Sequence, residues 1–552
     1  MKLNREILRL AVPSILANIT VPLVGMVDMA VAGHLGSMEG FAGAALIGGI
    51  SVGTMLFDLL YWNFAFLRAG TGGLTAQAYG RQKVAQRQEM ADLVGHDGHS
   101  GQLGHDGSDV MPGPDRASSP IERILARALR IALLSGLALI ALQWVVVQGA
   151  FLVVDCTPEV RALATRYFYI RIWAAPATLS LFALKGWFIG LQDTLRPMLV
   201  DLWVNLVNIL LSLGLGFGLH IGASALGASA SGAGITLLPT LGFAGVAWGT
   251  FIAQWTGLIL ALWVARKYLS ISHLLKILVA KLNEDFQQNT DTQPVTDHPN
   301  SAQPGTNPAQ HTPNPAQPTP NPAQPAPNRA QPTEAASFFT LNRDLFLRSV
   351  GMIAVYIGFT VIGAGLGDNM LAVSSILMKL LMLFSYFTDG FAYAGEALTG
   401  RFVGENSEDG VRSTVRGTFA WGFGLAGAFM LLYGLGGTPL LQLMTSDLSV
   451  VEAGRAYIPW LLLMPLIGCP AFTWDGIYIG ATASQDLRNS VLLCAVGFFA
   501  VWFIGKLFVP NSPEMLLHLL VAAYFMHLAI RSLYLTARYP RLMTQVFPPQ
   551  NG

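Results

Sequence analysis

Apolar residues in this chain come in blocks of twenty or so, interrupted by short polar stretches, from one end to the other. A helix rises about 1.5 Å per residue, so roughly 20 residues cross ~30 Å of hydrocarbon. On that ruler the pattern predicts about twelve spans: 7–33, 45–79, 121–148, 157–190, 197–219, 243–266, 343–366, 371–403, 413–436, 449–481, 487–508 and 513–537. Several exceed the minimum length, which implies tilt or protrusion. The Gly/Ala/Ser-rich piece 222–242 is read as a turn, although no formal charge between Asp201 and Arg266 marks it. The predicted class is an all-α polytopic membrane protein.

Two polar insertions break the pattern. Residues 96–119 carry His96, His99 and His105 with interleaved Asp, but the spacing fits no defined metal site and glycine dominates, so a loop is expected. Residues 290–335 repeat Asn-Pro-Ala-Gln with few apolar groups and cannot bury a core. The expected organisation is a six-helix lobe at 1–282, a disordered linker at 283–340 and a second six-helix lobe at 341–552. The halves echo one another. Asn4-Arg5-Glu6 matches Asn342-Arg343-Asp344, and Leu74-Thr75 with Gly80 matches Leu398-Thr399 with Gly404. Pro176 and Gly186–Gly190 match Pro465 and Gly476–Gly480 in the same order. Six spans separate the halves, so both start on one membrane side. That makes a parallel internal repeat, with a substrate site expected between the bundles of a rocking transporter.

Charge then orients the chain. Lys2, Arg5, Arg81, Lys83, Arg87, Arg266, Lys267, Arg343, Arg401, Arg488 and Arg538 all fall in one set of loops. The alternate set (34–44, 149–156, 219–242, 367–370 and 437–448) holds no Lys or Arg. By the positive-inside rule both termini are cytoplasmic, which implies a multi-pass protein of the cell (inner) membrane. Only 12% of residues are charged, half the usual share, and the net charge of +1 speaks against nucleic acid as a partner. Cys156, Cys469 and Cys494 show neither disulfide nor metal spacing. The first apolar run is too long for the h-region of a cleaved signal.

Charged and amide groups inside the spans are the candidate chemistry. Asp28 lies deep in the first span, where a carboxylate costs about 2.5–3.5 kcal/mol unless protonated, paired or wetted. It is read as a proton- or cation-binding switch, against the plainer possibility of an interfacial acid beside His34. Pro13 and Pro22 in the same span free backbone carbonyls and permit a hinge. The first half also holds Asn18, Asp58, Asn63, Arg68, Arg171, Lys185, Asp201, Asn205 and Asn208. Asn205 and Asn208 are three apart and share a helix face, either as hydrogen-bond support for Asp28 or as interhelical glue. The second half holds Lys379, Asp389, Glu396 and Asp475, a candidate C-lobe network. Lys379 and Asp389 are about 15 Å apart along one helix, so partners on other helices are expected for both. Arg68, Lys185 and Glu396 lie near the cytoplasmic ends, which favours structural or gating pairs. No clustered His, Asp or Ser-Lys groups suggest an intramembrane enzyme, and no catalytic residue, metal or cofactor is assigned.

At these residues the sequence resembles the multidrug and toxic compound extrusion (MATE) transporters, in the DinF (DNA-damage-inducible protein F) branch. The motifs that carry the likeness are Val27-Asp28 with Ala32–Gly36, Thr75–Gly80, Gly190–Thr194 with Arg196-Pro197-Met198, Phe391–Ala397 and Trp474–Thr482. The resemblance implies twelve helices in two lobes. It also implies export of lipophilic, often cationic compounds, driven by a proton or sodium gradient rather than a cofactor. It places the coupling carboxylate at Asp28, a bending proline at Pro13, and a supporting asparagine at Asn208. Some relatives have a second acid where this chain has Ser212, which favours protons over sodium. The seventh-helix acids of another branch are absent, the nearest counterpart being Thr360. Small lipophilic or cationic substrates and membrane lipids are the expected partners, and a monomer the expected state. The alternative function is a flippase for a lipid-linked oligosaccharide or related amphiphile. It would need cationic groups in its cavity, and Arg68, Arg171, Lys185 and Lys379 are the available set.

Overall fold

The structure is a computed structural model that describes residues 2–35, 43–96, 119–152, 156–221, 235–270, 272, 274, 276, 334–444 and 448–548. Among the described residues, twelve helical segments are long and apolar enough to cross a membrane. In chain order the helices are α1 (Lys2–His34), α2 (Gly43–Asn63), α3 (Ala65–His96), α4 (Pro120–Ala141), α5 (Gln143–Ala150) and α6 (Pro158–Arg171). A 3-10 turn at Ile172–Ala174 joins α6 to α7 (Ala175–Gly190), followed by α8 (Leu195–Phe217) and α9 (Phe243–Ala265). The second half has α10 (Glu334–Ala364), α11 (Asp368–Gly404), α12 (Glu408–Met444), α13 (Leu448–Arg455), α14 (Ile458–Gly480), α15 (Ser484–Gly505) and α16 (Pro513–Val546). Each predicted span is found: α2 and α3 share one, as do α4 with α5, α6 with α7, and α13 with α14.

Local chemistry sets several helix ends. Ser119, Thr157 and Ser512 each precede a proline, and their hydroxyls accept from the backbone N–H of Glu122, Val160 and Met515. The hydroxyl satisfies an orphan N–H of the first turn, and proline loses nothing at the first helical position. At the other ends, α7 and α14 close alike. Gln192 (φ 63°) and Thr482 (φ 55°) turn left-handed, and the next N–H, of Asp193 or Ala483, donates to the carbonyl of Phe188 or Tyr478. These are Schellman caps, built twice at the positions aligned as a repeat.

Three expectations change. The helix α10 begins at Glu334, so the linker does not extend to 340. After Pro332 no breaker remains, and Glu334-Ala-Ala are good helix formers. The rest of the linker up to 333, and the His-bearing insertion at 97–118, lie outside the described residues. The 222–242 turn is partly strand, because Leu219–Ile221 (β1) pairs antiparallel with Ile235–Leu238 (β2). Those apolar runs satisfy their backbone groups on each other where the helix has ended. Finally, the predicted spans fall short at both ends of several helices, such as α1 and α12, whose ends continue past the apolar run, and at the C-terminal end of α16.

Packing separates into two helix groups. Leu56, Phe57, Tyr167, Phe168 and Phe243 are core within the first half, as are Trp187, Val204 and Ala253. Val355, Phe384, Phe429, Tyr433, Phe498 and Leu517 form a core within the second. The groups meet along α1 and α3 from the first half and α11 from the second, with α10 and α14 also touching α3.

Candidate functional site

Asp28 is buried, 6% exposed, and faces into the first helix group. Its Oδ1 accepts from the Ser212 hydroxyl on α8 at 2.9 Å, and the same hydroxyl lies 3.3 Å from Asn208 Oδ1. Asn208 Nδ2 in turn donates to Thr250 Oγ1 on α9 at 2.9 Å. Arg171 acts on Asp28 through its field without pairing, since its Nη1 donates to Tyr167 at 2.9 Å and its guanidinium lies 4.7 Å from the Phe57 ring centre. The chain Asp28–Ser212–Asn208–Thr250 thus ties the carboxylate of α1 to two further helices, α8 and α9. His34 is exposed and bonds its own helix at Ala30 O, so Asp28 is not an interfacial acid paired with it.

Asn205 and Asn208 divide the two roles considered for them. Asn205 Nδ2 donates to Thr20 Oγ1 at 2.5 Å and holds α8 to α1, but it does not reach Asp28. One helical turn separates Asn208 from Ser212, so the asparagine faces the acid only through the serine. Ser212 is therefore a site residue that sequence reading treated only as a missing acid. Its i, i+4 spacing from Asn208 was the available signal. The hinge prolines differ too. Pro13 cannot donate to Arg9 O, and the Thr194 hydroxyl takes that carbonyl at 3.5 Å. Pro22 is exposed.

The candidate C-lobe network resolves into separate pairs. Glu396 is fully buried and accepts from Arg68 Nη1 at 3.0 Å across the two helix groups, with the guanidinium 4.4 Å from the Tyr393 ring centre. Lys185 donates to Asp201 at 2.6 Å within the first group. Asp475 receives both Arg348 and Arg531 on one oxygen, Oδ2, and Arg531 is 1% exposed. Neither arginine was among the sequence candidates, although Arg531 interrupts an apolar run. The partners expected for Lys379 and Asp389 are not found: among the described residues neither makes a hydrogen bond or ion pair. Asp389 instead lies in the joint field of Arg68, Arg531, Arg348 and Lys185, all four of which are engaged by other acids at closer range. Asp58 on α2 and Lys379 on α11 are exposed in the bundle.

The groups are closed at the Lys/Arg-rich end. A Cβ on Gly80 would lie 2.1 Å from Arg401 O, and one on Gly404 would lie 2.1 Å from Gln77 O, so α3 and α11 cross backbone on backbone. Gln77 Nε2 donates to Gly480 O and Thr482 Oγ1, each at 3.1 Å, while Arg401 Nη1 donates to Gln192 Oε1 at 2.9 Å. Each group therefore grips the left-handed helix cap of the other. Gly404→Val is expected to loosen this seal, because overpacking against backbone costs about 1–3 kcal/mol, roughly fivefold to a hundredfold in the closed population. A cysteine placed at Ala76, which is fully buried under Gly400, should then react faster with an aqueous thiol reagent. Unchanged labelling would show that the seal does not depend on this crossing.

Twelve apolar membrane-length helices in two packed groups, with an acid held by hydrogen bonds inside the first, are the build of a membrane transporter. The MatE family profile matches residues 13–92, 118–214 and 345–501, and the chain belongs to the MATE family of transporters. It is 28% identical to DNA damage-inducible protein F of Escherichia coli over 539 residues, 98% of this chain and 92% of that protein. The fold is similar to that of the Vibrio cholerae MATE transporter VcmN in its bent form, with TM-score 0.65, 13% identity and coverage of 99% and 98% of the two chains. It is also similar to a MOP superfamily transporter from Pyrococcus furiosus described for the reverse polarity of its binding pocket (TM-score 0.65, 16% identity, 98% and 96% covered).

Proposed function

We propose that this protein is a secondary active antiporter of the inner membrane that exports lipophilic, often cationic compounds in exchange for protons. The observation that carries the reading is Asp28, a carboxylate enclosed in the first lobe and tied to α8 and α9 through Ser212 and Asn208. An antiporter needs a group whose protonation differs between its substrate-loaded and unloaded states. With both termini cytoplasmic, the sealed Lys/Arg-rich end faces the cytoplasm and the cleft opens outward. Protonation from the acidic outer side then favours a bend of α1 near Pro13, where Thr194 rather than the helix itself holds the freed carbonyl. Return of the proton to the cytoplasm restores a carboxylate that attracts the next cation. The two six-helix lobes, related by the parallel repeat that the paired helix caps support, rock about this seal. No cofactor takes part; the transmembrane gradient supplies the energy, and the monomer is the working unit.

Ser212 in place of a second acid favours protons over sodium, because a sodium ion needs several oxygen ligands and gains most from charged ones. The flippase alternative has less support. Of its four candidate cations, Arg68, Arg171 and Lys185 are engaged by Glu396, Tyr167 and Asp201, which leaves Lys379 for a pyrophosphate. The test is proton movement in proteoliposomes on adding lipophilic cations, with and without sodium. Proton release that depends on substrate and not on sodium is expected. Exchange that requires sodium and moves no protons would overturn the proton assignment.

A further inference from the structure

The outer face of the first lobe carries a groove that the Asp28 site does not use. Helices α8 and α9 cross closely at Gly257, where a Cβ would lie 2.2 Å from Val204 Cγ2. Beside that crossing Trp203, Thr256, Ile259, Leu260 and Trp263 line a groove of about 320 Å³. Trp203, Ile259 and Trp263 are exposed, so on helices of membrane length they face the bilayer. The Thr256 hydroxyl is spent on Ala253 O at 3.0 Å, which leaves the groove without a free side-chain hydroxyl. Two cations stand at its mouth. Past the end of α9 the Arg266 N–H donates to Trp263 O and the Lys267 N–H to Val264 O, each at 3.3 Å. Residues three apart eclipse in such a turn, so Arg266 lies beyond Trp263 on the same side of the helix, and Lys267 follows it. Both are exposed, and among the described residues neither side chain makes a hydrogen bond or ion pair. The charges nearby on α8 are already matched. Arg196 is held by Asp193 and Tyr268, and Asp201 by Lys185.

We propose that this groove binds one anionic phospholipid from the leaflet at the Lys/Arg-rich end. An acyl chain lies between Trp203, Ile259 and Trp263, and the phosphate rests on Arg266 and Lys267. Hydrocarbon already surrounds the groove, so placing a chain there gains no hydrophobic free energy. The chain is held by the van der Waals contacts that an unfilled groove would lack. Selectivity therefore falls to the headgroup. A zwitterionic headgroup brings its own ammonium, which the two cations repel. An anionic one leaves its phosphate to them, as charge-assisted hydrogen bonds in a setting drier than bulk water. Trp263, a ring with one apolar and one polar edge, suits the boundary between chain and headgroup. Interfacial tryptophans and basic loops are common on membrane proteins. Here two such rings on neighbouring helices enclose one groove, and the cations one turn away have nothing else to pair with. The site is independent of the transport reading.

Brominated lipids quench tryptophan on contact and so read this site directly. The full-length chain is reconstituted in phosphatidylcholine vesicles with a rising fraction of dibrominated phosphatidylglycerol or dibrominated phosphatidylcholine, and no gradient is imposed. Dibrominated phosphatidylglycerol should quench a saturable component at low mole fraction. Its affinity should exceed that of the phosphatidylcholine by about thirtyfold, roughly fivefold for each cation. Trp203→Phe with Trp263→Phe should remove that component, which assigns it among the twelve tryptophans of the chain. Arg266→Gln with Lys267→Gln should bring the two lipids close to parity. Arg87→Gln with Arg541→Gln, exposed on α3 and α16 at the same end, should leave the preference intact. Ile259→Phe, which fills the groove without adding an indole, should weaken phosphatidylglycerol binding although both cations remain. All these side chains are exposed, and monodisperse elution in size-exclusion chromatography reports that each variant is folded. Equal affinities in the unmodified chain would overturn the proposal. So would the same loss from either pair of basic substitutions, which is what a diffuse basic surface would give, or a preference untouched by Ile259→Phe.

Discussion

Replacing Asp28 with asparagine is expected to abolish gradient-driven efflux while leaving the folded yield unchanged. The Ser212 hydroxyl donates to Asp28 Oδ1, and the amide oxygen of asparagine accepts the same bond. The chain through Asn208 to Thr250 therefore survives, and so does the packing of α1 on α8 and α9. What disappears is the ability to exist in two charge states. The amide is a permanent mimic of the protonated acid, so α1 is held in one of its two arrangements and no differential affinity remains for a gradient to use. The measurement is uptake of a lipophilic cation into inside-out proteoliposomes under an imposed pH difference. Transport by Asp28→Asn should fall to the level of protein-free liposomes, and Asp28→Glu should retain part of it. Accumulation at the unmodified rate would remove Asp28 from the coupling step.

The largest effect on folding is expected at Asp475. Two guanidinium groups, Arg348 and Arg531, converge on its Oδ2, and the surroundings exclude water from Arg531 almost completely. Asp475→Ala leaves two like charges buried side by side. Stranding one partner of a buried pair costs about 3–5 kcal/mol in soluble proteins, a large share of a total stability of about 5–15 kcal/mol. Folded yield and thermal midpoint, read by size-exclusion chromatography after heating, should drop sharply. Replacing all three together by apolar residues (Asp475→Leu, Arg348→Met, Arg531→Met) should recover most of the loss, since well-packed apolar groups substitute for a buried ionic cluster. Unchanged yield with lost proton exchange in Asp475→Ala would make Asp475 a second coupling group instead of a structural one.

The sequence alone determined the membrane class, the twelve spans and the depth of Asp28. Those features are written in composition and in runs of about 20 residues, because hydrocarbon demands length and excludes charge regardless of how helices later pack. Helix starts at Ser119, Thr157 and Ser512 were equally local, since a cap and its N–H lie within four residues. The motif around Gly80 and its counterpart Gly404 was visible as a repeat, but not that each glycine rests on the other helix's backbone.

Tertiary structure decided which intramembrane ions have partners. Glu396 finds Arg68 from 328 residues away, and Asp475 finds Arg348 and Arg531 from 127 and 56 residues away. No spacing rule along the chain encodes such pairs, because they depend on which faces of separate helices meet. The same holds for Ser212, a site residue by virtue of α1 lying against α8, and for Asn205, three residues from Asn208 but turned onto Thr20. Lys379 and Asp389 stood in the sequence as two more intramembrane ions awaiting partners, and among the described residues neither makes a hydrogen bond or ion pair.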